Sequence, residues 1–169
     1  MSEEDVTEER DDGAPIEVLE AYFEARGWAY ERSGEGEIIA SAPGSWAQYE
    51  LRGVWRPEDQ VLQFLAFPDV KVAGDKRQAI YETLGLVNEQ LWLGHFELWS
   101  SSGLIVFRYA ALMNAGDEDG LSFEQAEAIT EAALEECERF YPVFQFVLWG
   151  GKSPTEAIQA ALIETAGEA

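Results

Sequence analysis

The chain has 169 residues, 33 of them acidic and 11 basic, for a formal net charge of −22. A potential of that sign repels phosphate backbones and anionic lipid surfaces, so nucleic-acid and membrane-surface binding are excluded and basic proteins or peptides remain as partners. With 47% hydrophobic and 12% aromatic residues the chain can build a core without disulfide or metal, and its one cysteine, Cys137, forms no intramolecular bridge.

Residues 1–13 contain seven acids, one arginine and a single sizeable aliphatic residue, Val6. Such a run buries too little apolar surface to offset its ordering entropy, which predicts a disordered acidic tail before one domain over residues 14–169. A helix is predicted from Pro15, with Ile16, Leu19 and Phe23 on one face and Gly27 at its end. Three strands follow. Residues 37–42 are apolar at their centre, and Pro43-Gly44-Ser45 turns the chain. Across residues 46–56, Ala47, Tyr49, Leu51 and Trp55 alternate with Gln48, Glu50 and Arg52, the period of a half-buried strand. Residues 61–67 are largely apolar, which predicts a central strand.

Asp75 and Gln78 have the spacing of a capping box, and Ile80, Leu84, Val87 and Leu91 share the face of the helix they would open. Gly94 is its predicted stop. Strands over 96–99 and 104–113 are joined by a hairpin turn at 100–103. After a loop at 114–120, Ser122 and Gln125 form a second capping box. The long helix that follows places Ala126, Ile129, Ala133, Cys137, Phe140, Phe144 and Leu148 on one face and Glu124, Glu127, Glu131, Glu135 and Glu138 toward water. Pro142 lies inside it and predicts a kink. Gly150 and Gly151 end that helix, Ser153 caps the next, and Ile158, Ala161 and Leu162 form its predicted buried side. The order is α-β-β-β-α-β-β-α with an extra C-terminal helix, an α+β antiparallel sheet packed by helices.

Motifs that carry chemistry are sparse. Gly150-Gly151-Lys152-Ser153 has the look of a phosphate loop, but Phe146 stands where the loop needs its first glycine and no strand leads into it. His95 is the single histidine, and no Ser, Cys or Thr stands in a recognisable nucleophile context. Cys137 lies on an apolar stripe beside Glu135, Glu136 and Glu138, the opposite of the electropositive setting a reactive thiol needs. One His and one Cys make no common zinc site, and Asp117-Glu118-Asp119-Gly120 lacks the spacing of a calcium loop. No catalytic, cofactor or metal residue is therefore assigned. Trp46, on the polar side of its strand, and Trp92, off its helix stripe, are either covered by a second packing layer or contact a partner. The aromatics Phe64, Phe67, Trp99 and Phe107 allow a second reading, a small-ligand sensor or enzyme with a pocket between sheet and helices. No basic segment followed by an apolar run opens the chain, and no apolar run reaches the length of a membrane span, which predicts a cytoplasmic protein.

Three segments, Asn88-Glu89-Gln90-Leu91-Trp92, Gly94-His95-Phe96-Glu97-Leu98-Trp99 and the run from Phe144 through Gly150-Gly151-Lys152-Ser153-Pro154, resemble the YbjN family. The resemblance runs from about residue 15 to the C-terminus. Members of that family look like type III secretion chaperones and are described as sensory-transduction regulators. The resemblance implies a chaperone-like α-β-β-β-α-β-β-α core, non-enzymatic binding of a protein or peptide in a regulatory or chaperone-like role, and a homodimer. It carries over no catalytic residue. The acidic tail and the extra C-terminal helix depart from the minimal core.

Overall fold

The computed structural model describes residues 14–113 and 120–167; the predicted tail at 1–13 and the acidic run at 117–119 lie outside them. Its elements are helix α1 (Ala14–Ala25), strands β1 (Ala29–Arg32), β2 (Glu37–Pro43), β3 (Gln48–Arg56) and β4 (Val61–Phe67), helix α2 (Arg77–Asn88), strands β5 (His95–Trp99) and β6 (Leu104–Leu112), and helices α3 (Phe123–Leu148) and α4 (Pro154–Gly167). The strands form one antiparallel sheet in the order β1-β2-β3-β4-β6-β5. The sheet is the α+β arrangement expected, and β4 is central in it as its apolar run predicts.

Alternation decides which side chains meet the helices. Ile38, Ala40 and Ala42 on β2, Tyr49, Leu51 and Trp55 on β3, Leu62, Phe64 and Ala66 on β4, and Ile105 and Phe107 on β6 are all buried on the helix side. Helix α1 lies over β1, β2 and β3, α3 over β4 and β6, and α2 against β5, with α4 packed on α2 and α3. Gly53 allows the close approach of α1, because a Cβ there would come within 2.5 Å of Leu19 Cδ1. The other face of the sheet carries no helix among the described residues. Its buried centre, Leu65, Phe67 and Val106, is covered by side chains of the sheet itself. The Arg52 guanidinium sits 4.8 Å from the Phe67 ring centroid, and Trp99 meets Phe67 edge-on at 5.3 Å.

Several local expectations change. Strand β1 has no sequence signature: three of its four residues are exposed, and it exists because β2 supplies an edge, with Ala29 opposite Ser41 and Arg32 opposite Ile38. The Asp75–Gln78 box does not form. Gly74–Lys76 is instead a 3₁₀ turn, and α2 begins after Lys76 without a side-chain cap. The Ser122–Gln125 box forms in both directions, at 3.0 and 2.9 Å. Helix α3 continues through Pro142. In α4, Pro154, Ala157 and Ala161 are buried and Leu162 is exposed, because small residues let α4 lie close to its neighbours. Glu131 and Glu138 are not simply hydrated. Glu131 accepts hydrogen bonds from the Tyr22 hydroxyl at 2.7 Å and from Arg26, and Glu138 accepts one from the Ser45 backbone N–H at 2.6 Å.

Candidate functional site

A groove of about 370 Å³ lies between the end of β6 and the first half of α3. Its floor is Phe107, Tyr109, Ala111 and Met113, which alternation turns toward the helices; its far wall is Gln125, Ala128, Ile129 and Ala132. Those four lie at spacings of three, one and three, a single stripe of α3. Ala128 and Ala132 are too small to reach β6, and this leaves the gap. Leu93 and Leu112 form the rim. Leu112 is 76% exposed, and Trp92, next to Leu93, is 99% exposed.

The loop from α2 to β5 sets this rim. Helix α2 ends at Asn88, whose side chain holds β5 from both sides: its Oδ1 accepts from Phe96 N–H at 2.8 Å and its Nδ2 donates to Phe96 C=O at 3.0 Å. Gly94 then carries the chain against β6 at φ 70°, where a Cβ would stand 2.8 Å from the Arg108 carbonyl oxygen and 2.5 Å from the Phe107 ring. Only glycine fits both the left-handed conformation and the approach. The β5–β6 ladder ends at His95 opposite Arg108, so β6 runs on from Tyr109 to Leu112 with no described strand on that side.

Trp46 lies elsewhere. It is 50% exposed in the β2–β3 turn and stacks on Tyr141 of α3 at 6.0 Å. The register puts the start of β3 with the end of β4, and the end of β3 with the Val61–Leu112 pair. Trp46 and the groove are therefore separated by the length of β3, nine residues or about 30 Å. The structure does not bring Trp46 and Trp92 together. A further exposed tryptophan, Trp149, caps the C-terminus of α3, where neither helical nor strand periodicity marks its exposure.

The other sequence candidates resolve plainly. Phe64 and Phe107 belong to the helix-side core, whereas Phe67 and Trp99 lie on the opposite face, so the four line no common pocket. Phe67 and Trp99 instead border a shallower hollow on the open sheet face with Gln48, Glu50, Arg52 and Asp69. His95 is exposed on β5, its Nε2 3.1 Å from Glu97 Oε1, and Glu97 also pairs with Arg108. Cys137 is buried; burial, then the charges of Glu138 and Glu136, push its thiol far above the usual range. The Gly-Gly-Lys-Ser run is a helix-to-helix connection: Gly150 and Lys152 N–H groups return to the Phe146 carbonyl, Gly151 is left-handed at φ 66°, and Ser153 Oγ accepts from Glu156 N–H at 3.2 Å. Among the described residues no group of three His, Cys, Asp or Glu could hold a metal ion, and no helix is long and apolar enough to cross a membrane.

An α+β domain with one helix-covered sheet face and a groove beside a half-paired strand is thus defined. Residues 15–146 match the model of the family YbjN, "Putative bacterial sensory transduction regulator", and the chain belongs to that family. The crystal structure of "YbjN, a putative transcription regulator from E. coli" shares the fold, with TM-score 0.51 and 11% identity over 79% of this chain and 88% of that one. The ExsC–ExsE complex also aligns, with TM-score 0.49 and 19% identity over 77% of this chain and 93% of that chain. No curated protein matches. The family is the one that the sequence segments resemble, although the match ends at residue 146 and leaves most of the third segment, from Val147 to Pro154, beyond it.

Proposed function

We propose that this protein is a non-enzymatic binding module of the bacterial cytoplasm that holds a segment of a partner protein in the groove between β6 and α3, in a regulatory or chaperone-like role. The observation that carries the reading is the apolar groove with Leu93 and Leu112 exposed at its mouth, and with the exposed Trp92 next to Leu93 in the chain. Exposed aromatic and aliphatic side chains around an apolar hollow are the usual anchors of protein interfaces. The description of the family as a regulator supports the same role. Trp92 is the proposed primary contact, and Trp46 a second one at the far end of the sheet. Small-molecule sites need several convergent polar side chains to orient a ligand; the lining side chains here are apolar but for Gln125 and the Tyr109 hydroxyl, which favours a peptide over a small ligand.

Affinity capture from native lysate with wild-type, Trp92→Ala/Leu112→Ala and Trp46→Ala proteins tests the reading. A protein retained by the wild type and lost from the double variant is the expected result. Equal retention by all three sinks it. A homodimer is also proposed, on the exposed tryptophans and on the prevalence of two-fold association. The −22 charge opposes it, so the dimer should tighten as salt rises. Sedimentation that stays monomeric through the micromolar range at low and moderate salt refutes the dimer.

A further inference from the structure

We infer that the groove takes its partner as an added β-strand: a basic, apolar, extended segment that pairs with the free edge of β6. The inference rests on the groove reading above and deepens it. Backbone alternation locates the vacant hydrogen-bonding groups. Ile105 N–H donates to Val70 C=O and Met113 N–H to Gln60 C=O, both on the β4 side of β6. Odd-numbered residues of β6 therefore point toward β4, and the even-numbered ones toward β5. Beyond Arg108, where β5 ends, Ala110 and Leu112 direct their N–H and C=O groups to an edge with no described strand, and both residues are exposed. An open edge of this kind is a template for strand addition unless something blunts it. Here no charged side chain, proline or bulge stands on Tyr109–Leu112, the devices by which edges are usually protected.

The groove supplies what backbone pairing alone lacks. Side chains of an added strand alternate between two faces. One set would drop toward Ala128 and Ala132, where the small side chains leave the cavity. The other would lie beside Leu112 on the open face of the sheet. Charge selects the occupant. Glu124 precedes Ala128 by four residues and Glu135 follows Ala132 by three, so both sit on α3 next to the wall, and Glu89 lies in the α2–β5 loop that carries Leu93. All three are exposed. A segment with Lys or Arg flanks is complementary to that rim. Residues 1–13 of this chain, with seven acids and one arginine, are not, and a second copy would bring the same acidic rim against its own.

The test is selection of a displayed library of peptides of about ten residues, enough to span a typical strand with flanks. Peptides are kept when they bind wild-type protein and not Trp92→Ala/Leu112→Ala. The expected winners carry apolar residues at period two and Lys or Arg at their ends, and they weaken as salt rises. N-methylation of alternate backbone nitrogens in one phase, but not the other, should lower affinity roughly ten-fold per bond lost. Leu112→Pro deletes an edge donor, so winners should bind it roughly ten-fold less well than Leu112→Ala, which keeps that N–H. Winners with helical spacing, acidic flanks, indifference to both methylation phases, or equal binding to the two Leu112 variants overturn strand addition while leaving the groove as the binding site. A selection that yields no groove-dependent peptide also overturns it. Lysate capture unaffected by Trp92→Ala/Leu112→Ala removes the groove reading itself.

Discussion

Gly94→Ala should be among the most damaging single-methyl additions in the protein. The glycine is left-handed at φ 70°, which costs an L-residue with a side chain about 1–2 kcal/mol. The added methyl would also sit 2.5 Å from Phe107 Cζ and 2.8 Å from the Arg108 carbonyl oxygen. Phe107 is buried between Phe96 and the groove, and the carbonyl belongs to the β6 backbone, so neither yields without moving the sheet edge. Overpacking of that kind costs about 1–3 kcal/mol. Together the two effects predict a loss of about 2–5 kcal/mol, or roughly 4–20 °C in Tm for a chain of this size. Urea unfolding followed by tryptophan fluorescence measures it, with Gly85→Ala as the control. Gly85 lies within α2, has no heavy atom within 4 Å of its notional Cβ, and does not have a left-handed backbone. Alanine there should stabilise by about 0.5–1 kcal/mol. Equal effects of the two substitutions, or a Gly94→Ala loss under about 0.5 kcal/mol, would refute the geometric argument.

Tyr22→Phe should cost about 1 kcal/mol, since it removes the 2.7 Å hydrogen bond to a partly exposed Glu131 that ties α1 to α3; an unchanged urea midpoint would show the bond contributes nothing net. Burial raises the Glu136 carboxyl, against the weak pull of Arg139 at 3.9 Å and with Glu135 adding to the rise. Its folded pKa thus exceeds its unfolded one, so its contribution to stability is complete below the ordinary carboxylate range and is lost as pH rises through the folded value. Glu136→Gln should therefore gain on wild type as pH rises above the ordinary carboxylate range, and parallel stability–pH curves for the two proteins would contradict this. Removal of residues 1–13 should leave the melt nearly unchanged, because Val6 is that run's one sizeable aliphatic residue; a fall of more than about 5 °C would show that it docks.

Much of this molecule is determined by local pattern. The period-two alternation at Tyr49, Leu51 and Trp55 and the single helical face of Ile80, Leu84 and Val87 each mark an element and its buried side. The Ser122–Gln125 box and the Ser153-Pro154 start needed only side-chain and backbone groups a few residues apart, and both form. Of the three segments that resemble YbjN, the first follows the end of α2, the second is mostly β5, and the third spans the end of α3 and the connection to α4.

Tertiary structure alone decided the rest. Strand β1 has no pattern of its own and exists because β2 offers it hydrogen-bonding partners. Glu131 and Glu138, spaced along α3 as a solvent-facing set, were drawn into contacts with α1 and the β2–β3 turn, which no helical periodicity encodes. Phe64 and Phe67, three residues apart, fall on opposite faces of β4, because an odd separation along a strand reverses direction. The groove is the strongest case. Ala128 and Ala132 read as unremarkable helix residues, and Leu112 as the end of a strand. They become a site because β5 stops four residues short of the end of β6, and the small side chains of α3 happen to face the gap that it leaves. Sequence specifies the period of each element; where two elements of unequal length end against one another is set only when they pack.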